Sequence, residues 1–175
     1  MRRPDHHNEV ELNFLEAGTV TYLLGGKKVQ LVAGRLSAFW GAIPHQIIAY
    51  GNEPAYFVAT IPLPWFLQWR LPRHFVQLLL QGELITEKED DRAFFDAHLF
   101  ARWVDDLMTR NAEFERSVLL EMEARLVRLA GSIAAVRPVV ATGKRGPAAS
   151  RSGLTKVERM ACFIAEHYTE RLTVQ

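Results

Sequence analysis

The chain is poor in three things that would otherwise decide its class. It has one cysteine, Cys162, in 175 residues, which excludes an intramolecular disulfide framework and fits a reducing cytoplasm. It has no apolar run near the roughly 20 residues that a membrane span requires, and its N-terminus lacks the apolar stretch of a signal peptide. A cytoplasmic protein with no membrane partner is therefore expected. It also has almost no net charge, +1 with histidines neutral, so the chain as a whole is not built to hold a polyanion. Disorder is excluded from the other side, because 49% of the residues are hydrophobic, enough for a packed core. The length suits one domain, or one domain and part of a second.

What is present begins with a period of two over residues 9–61. Val10, Leu12 and Phe14 alternate with Glu11 and Asn13, and the extended run at 19–24 enters Gly25-Gly26, a two-residue hairpin signal, before residues 29–32. The stretch GRLSAFWGAIPHQI at 34–47 then reads as a strand, a tight turn and the start of another strand. Gly34 sits where a turn can demand positive φ, and Leu36, Ala38 and Trp40 share one strand face. Pro44 breaks the ladder just before His45, which lands at the mouth of whatever the strands enclose. Residues 45–50 and 55–61 follow as strands separated by a Gly51-Asn52-Glu53-Pro54 turn. About six short antiparallel strands predict a small barrel or jelly roll, with an open sandwich as the alternative.

After Pro72 the period becomes 3.6. Residues 73–80 predict a short helix stopping at Gly82. Thr86 with Glu89 reads as a capping box for a helix whose inner face is Phe95, Leu99, Trp103 and Leu107. Asn111 can cap the next helix, in which Leu119, Met122, Leu126 and Leu129 form a narrow heptad-like stripe and Glu121 and Arg125 an exposed i, i+4 pair. That stripe either seals a partner helix in a homodimer or packs on the barrel of its own chain. Residues 131–153 are rich in Gly, Pro, Ser and Ala and contain Arg137, Lys144, Arg145 and Arg151 without an acid, the composition of a basic linker. A capped amphipathic helix with Val157, Ala161, Ile164 and Tyr168 on one face follows, and it has nothing after it to pack on.

The run GRLSAFWGAIPH, PLPWFLQWRLP at 62–72, and GKRGPAASRSG before FIAEHYTERLTVQ together resemble the AraC/XylS family of bacterial transcription regulators, over almost the whole chain. The resemblance implies a β-rich plus α fold, a cupin-like antiparallel jelly-roll barrel followed by a helical dimerisation pair. It divides the chain into an effector-sensing barrel at 1–70, a helical dimerisation segment at 71–131, the basic linker at 132–153, and the first helix of a helix-turn-helix DNA-binding domain at 154–175. Both recognition helices would lie beyond Gln175, so this chain alone is not expected to bind an operator specifically. The resemblance implies as partners a small-molecule effector, often a sugar in this family, a second copy of the chain, and operator DNA through the missing domain.

Metal-binding cupin barrels carry the spacing H-x-H-x3-E-x6-G and then G-x10-H. Here the corresponding residues are Asp5, His7, Glu11 and Gly18, then Gly34 and His45, so Asp5 stands where the first histidine belongs. Period two puts residues 5, 7, 9 and 11 on one side of an extended strand, from which Asp5, His7 and Glu11 can converge on an ion that His45 reaches across the barrel. Carboxylates with imidazoles suit Zn²⁺, Ni²⁺, Mn²⁺ or Fe²⁺. The plainer role for His45 is a hydrogen bond to a sugar or a backbone carbonyl. Trp40 is the candidate stacking platform for an effector, with Tyr22 and Gln46 as polar contacts, while Trp65 and Trp69 read as a cover for the barrel. Cys162 has no base near it in sequence and reads as a buried helix residue. A sensing domain without catalytic chemistry is the favoured function, since a basic linker and an unpartnered helix serve a regulator. The alternative is a metal-dependent cupin enzyme, a dioxygenase or isomerase, held by the same four ligands.

Overall fold

The computed structural model describes residues 4–88 and 90–134. Glu89, most of the expected linker at 132–153, the expected helix at 154–175 and Cys162 lie outside the described residues. The strands are β1 (Glu9–Leu24), β2 (Lys27–Val32), β3 (Ser37–Trp40), β4 (His45–Pro62) and β5 (Ile85–Thr86), and the helices are α1 (Leu63–Gln68), α2 (Arg73–Leu80), α3 (Ala93–Met108) and α4 (Ala112–Ala134).

The sheet is antiparallel and built around β1. One edge of β1 pairs with β4 from Glu9↔Pro62 to Leu24↔His45. Its other edge takes β3 along the first half, Val10↔Trp40 to Asn13↔Ser37, and β2 along the second, Thr19↔Val32 to Leu24↔Lys27. Strand β5 adds to β3 through Ser37↔Thr86 and Ala38↔Ile85. The result is a curled half-barrel.

Two of the breaks that six short strands imply, the turn at residues 51–54 and the gap between residues 14 and 19, are not chain reversals. Residues 9–24 form one strand and 45–62 another, because the irregularities face each other across the ladder. Gly18 has φ 71°, and opposite it Asn52 and Glu53 have φ 55° and 47°, with register shifts between Leu15 and Thr19. A paired pair of bulges bends both strands together and keeps the pairing on either side, whereas a turn would end it. A Cβ on Gly18 would lie 2.6 Å from the Gly51 carbonyl oxygen. The Gly25-Gly26 turn is as expected, with φ 55° and 80°, the left-handed pair a two-residue hairpin needs.

The two sheet faces are filled differently. Val10, Leu12, Phe14, Ala38, Trp40 and Ile61 face the helices and share a core with Phe66, Phe75, Phe100, Trp103, Leu126 and Leu129. Leu15, Val20, Tyr22, Leu24, Leu31 and Phe39 form a second cluster on the inner, concave face. Burying one such large apolar side chain contributes about 1.5–3 kcal/mol, so the helix-packed face is where most of the apolar driving force is gathered. Helix α2 spans the expected residues and ends on Gly82, φ 87°. In α1, Leu63 and Phe66 are buried and Trp65 is exposed, while Trp69, just past its C-terminus, packs against the core, so only one of the two tryptophans covers the sheet.

The helical hairpin departs from its expected faces. Thr86 is in β5, where its hydroxyl meets that of Ser37 at 3.0 Å, and α3 starts at Ala93 with no side-chain cap. Asn111 does cap α4, its Oδ1 accepting the Glu113 N–H at 2.8 Å. Helix α4 runs through Gly131 to Ala134. The inner residues of α3 are Asp96, Phe100 and Trp103, while Phe95 and Leu107 are exposed. Asp96 belongs there because Arg125 is not a surface residue. Arg125 is 0% exposed. Its Nε and Nη2 donate to Asp96 at 2.6 and 2.7 Å, and Nη2 also donates to Glu87 at 2.6 Å. Burial opposes its charge, but the two carboxylates outweigh that and hold the guanidinium pKa above its ordinary value. Glu121 instead accepts from Trp103 Nε1 at 2.9 Å. Of the two roles open to the helix stripe, packing within its own chain is the one observed and the dimer seam is not: Met122, Leu126 and Leu129 are buried in the core of their own chain and Leu119 is half-buried, leaving Leu120 and Val127 exposed on α4.

Candidate functional site

Alternation along β1 decides what the concave face offers. Val10, Leu12 and Phe14 turn to the helices, so Glu11 and Asn13 turn inward beside Leu15. Both polar residues are buried, which requires partners. Tyr22, inward-facing beyond the bend of the same strand, donates its hydroxyl to Asn13 Oδ1 at 3.1 Å, and Asn13 Nδ2 donates to Glu11 Oε2 at 3.4 Å. The other Glu11 oxygen lies 2.7 Å from His7 Nε2 and 3.2 Å from His45 Nε2.

The histidines arrive from two directions. His45 opens β4 opposite Leu24, and its Nδ1 is 2.9 Å from the Ile43 carbonyl, an acceptor that assigns Nδ1 the proton and turns Nε2 to Glu11. His7 precedes β1 in a segment that follows the β3–β4 turn. Its N–H donates to the Gly41 carbonyl at 2.9 Å, Gly41 N–H donates to Glu9 at 2.8 Å, and Asp5 and His45 exchange backbone bonds of 2.8 and 2.9 Å. The His7 ring lies over Gly41 so closely that a Cβ there would be 2.3 Å from its Cε1. The two imidazoles meet edge to face at 5.1 Å, and Phe39 meets His45 at the same separation.

The electrostatics follow from this packing. Burial raises the Glu11 pKa, but hydrogen bonds from His45 and His7 outweigh it and hold the carboxyl below its ordinary range. Burial likewise opposes charge on His45, but the bond to Glu11 and the Ile43 carbonyl outweigh it and hold the imidazolium above the usual histidine range. Burial first and the Glu11 charge second push the Tyr22 phenol well above its normal range, so it stays a donor. Near neutral pH the face thus presents an anion between two imidazoles and a protonated phenol.

Of the expected metal ligands, His7, Glu11 and His45 come together, one donor atom of each within 4.8 Å of the others. Asp5 does not join them. It is exposed and its Oδ1 accepts the His6 N–H at 3.0 Å, because its pairing is with the backbone of His45 and not across the concave face. Of the expected effector contacts, Tyr22 and His45 are on the concave face. Trp40 is fully buried among the helices, on the opposite side of β3 from Phe39, which has the inward position. Gln46 follows inward-facing His45 in β4 and so points outward. Missing from the sequence-based set are Asn13, Phe39 and a pair on β4, Tyr50 and Tyr56. Their partners Val20 and Leu15 face inward, and their rings stack at 6.3 Å across the bulge. The alternation of Asn13 with Leu12 and Phe14 was the signal for the first; the tyrosines had none, since the bulge between them read as a turn.

No protein-family model matches the chain. It is 26% identical over 171 residues to the melibiose operon regulatory protein of Escherichia coli (strain K12), covering 96% of this chain and 55% of that protein, and equally so to its counterpart in Escherichia coli O6:H1. The crystal structure of the AraC-like transcriptional activator CuxR matches with a TM-score of 0.53 and 11% identity, covering 95% of this chain and 54% of that one. The resemblance to AraC-family regulators is therefore borne out in sequence and, independently, in fold. The chain spans about half the length of the curated relatives it matches.

Proposed function

We propose that this chain is the effector-sensing and dimerisation region of an AraC-family transcription regulator, and that its concave sheet face binds a small polar effector of the sugar type. The observation that carries this is the buried ladder from Tyr22 through Asn13 to Glu11 and His45, set into an otherwise apolar concave face. Fixed donors and acceptors beside aromatic rings are what a polyhydroxylated ligand requires, the rings taking its C–H faces and the ladder its hydroxyls. The half-barrel then corresponds to the cupin-like sensing barrel of such regulators. Effector binding would act by favouring one arrangement of sheet and helices over another. Operator recognition would belong to the part of the regulator that this chain does not span.

The homodimer would form not through the stripe at Met122, Leu126 and Leu129 but through what the hairpin leaves exposed, Leu120 and Val127 on α4. The enzyme reading is favoured only by the convergence of His7, Glu11 and His45, and the relatives named above are regulators.

The test is a calorimetric screen of mono- and disaccharides against the chain and its Tyr22→Phe and Asn13→Leu variants. A sugar that binds the parent chain and loses at least about tenfold in affinity on loss of one ladder hydrogen bond supports the reading. Binding that neither variant changes would place the ligand elsewhere, and a screen with no binder at millimolar concentration would remove the sugar class.

A further inference from the structure

We propose that His7, Glu11 and His45 are the ligands of a divalent transition ion of the Zn²⁺ class, seated at the end of the polar ladder. The donor set is two imidazole nitrogens and one carboxylate oxygen, the set borderline ions of this kind favour. The present separations are 2.7 Å from Glu11 Oε1 to His7 Nε2 and 3.2 Å from Glu11 Oε1 to His45 Nε2. Ligand atoms about 2.0–2.1 Å from a tetrahedral ion stand roughly 3.3–3.4 Å apart, so small side-chain rotations open the cluster to that size.

Three features outside the ligands support an ion over a simple hydrogen-bonded cluster. The first is that both ligands on the strands are braced from behind. His45 Nδ1 is taken by the Ile43 carbonyl at 2.9 Å and Glu11 Oε2 by Asn13 at 3.4 Å, which leaves Nε2 and Oε1 aimed at one point. The second is His7 Nδ1, which is buried and without an aligned hydrogen bond, although Glu9 Oε2 is 2.9 Å away. That carboxylate is placed to orient the ring once Nε2 carries an ion. The third is Gly41, where any Cβ would occupy the space of the His7 ring; the close approach brings His7 into the cluster. Three protein ligands leave coordination positions for water or for an effector hydroxyl. Only that last role rests on the sensing proposal; the ion site stands on its own geometry.

The experiment is titration of chelator-treated chain with Co²⁺, followed by its visible absorption, and with Zn²⁺, followed by calorimetry and thermal shift. One equivalent of Co²⁺ is expected to give the intense visible bands of a four- or five-coordinate site, and Zn²⁺ to displace it and raise the melting temperature. His45→Ala and His7→Ala are each expected to lower affinity at least 100-fold, with His74→Ala, an exposed histidine on α2, as the unaffected control. Because His7 is only half-buried and precedes β1, its variant remains informative where His45→Ala fails to fold. Absence of stoichiometric binding, or binding that survives His7→Ala, overturns the proposal. The sugar screen run in chelator and the Co²⁺ spectrum run without sugar fail independently, so the two readings are separable.

Discussion

Replacing Arg125 by methionine tests how the helical hairpin is tied to the sheet. Arg125 and Asp96 are each 0% exposed and Glu87 5%, so the triad carries two carboxylates and one guanidinium out of contact with water. The three bonds of 2.6, 2.7 and 2.6 Å join α4 to α3 and to the residue after β5, whose N–H is held by the Leu36 carbonyl at 2.9 Å. Methionine keeps the stem length and removes the charge, leaving two buried carboxylates without a partner. Removing one side of a buried ion pair costs about 3–5 kcal/mol, a large part of the roughly 5–15 kcal/mol that stabilises a typical domain. At about 2–4 °C per kcal/mol for a chain of this size, the melting temperature is expected to fall by roughly 6–20 °C. Urea unfolding and a thermal scan, both followed by circular dichroism, measure the two quantities. R125K should lose less, since the charge remains but one ammonium cannot reproduce the bidentate grip on Asp96. R125M combined with Asp96→Leu and Glu87→Gln should regain most of the loss, because no charge is then left buried. A loss below about 1 kcal/mol in R125M would refute the reasoning, showing that water reaches the carboxylates and that the apolar core alone holds the hairpin.

Gly18→Ala is expected to cost about 2–5 kcal/mol, the left-handed conformation and a Cβ driven into the Gly51 carbonyl acting together; urea unfolding showing under 1 kcal/mol would mean that the paired bulges relax freely. Gly41→Ala meets a side-chain ring and not backbone, so it should cost no more than about 1–3 kcal/mol while lowering Co²⁺ affinity sharply, a split readable by unfolding and absorption on one sample. On α4, Leu120→Glu with Val127→Glu should leave the fold intact and convert a dimer to monomer in light scattering, whereas Leu126→Asp, at a fully buried position, should unfold the chain at any concentration; a dimer surviving the first pair would locate the interface elsewhere.

Local chemistry in the sequence specifies a reversal of direction better than it specifies what the chain does afterwards. Gly18 and Gly51-Asn52-Glu53-Pro54 carry the residues of turns and adopt positive φ as such residues do, but a turn and a bulge draw on the same conformations. The difference between them is made by the partner strand, and no single segment contains it. Helices α2 and α4 began where capping and proline placement put them, since those signals act within a few residues. The interior of α3 was harder for a converse reason. Its inner face contains a carboxylate, and a pattern that counts only apolar residues rotates away from Asp96 toward Phe95, just as it takes Arg125 for a surface partner of Glu121. A charge can be read as buried only when its counter-charges are known to meet it, and those of Arg125 lie 29 and 38 residues away.

The same distinction separates the part of the site that spacing located from the part it did not. His7, Glu11 and His45 were marked by the spacing of metal-binding cupin barrels, for which period two supplies the reason: residues four apart in an extended segment share a face, and the strand entered at Pro44 returns alongside β1. The same spacing also named Asp5, which stays outside the cluster. Neither of those strand relations depends on which face of the sheet is covered by helices. The aromatic contact did depend on it. Leu36, Ala38 and Trp40 do share a face, but α1 to α4 fill that face, and its neighbour Phe39 turns to the concavity beside His45. In a sheet with one face against helices and one toward a ligand, the larger apolar residue follows the larger core, because that is where more area is removed from water. The concave face, apolar over Leu15, Val20, Leu24, Leu31 and Phe39, also carries the polar-tipped Asn13, Tyr22, Tyr50 and Tyr56, the groups that an effector of the proposed kind would hydrogen-bond. The burial of Trp40 and the inward place of Phe39 are in this sense one consequence of the same alternation.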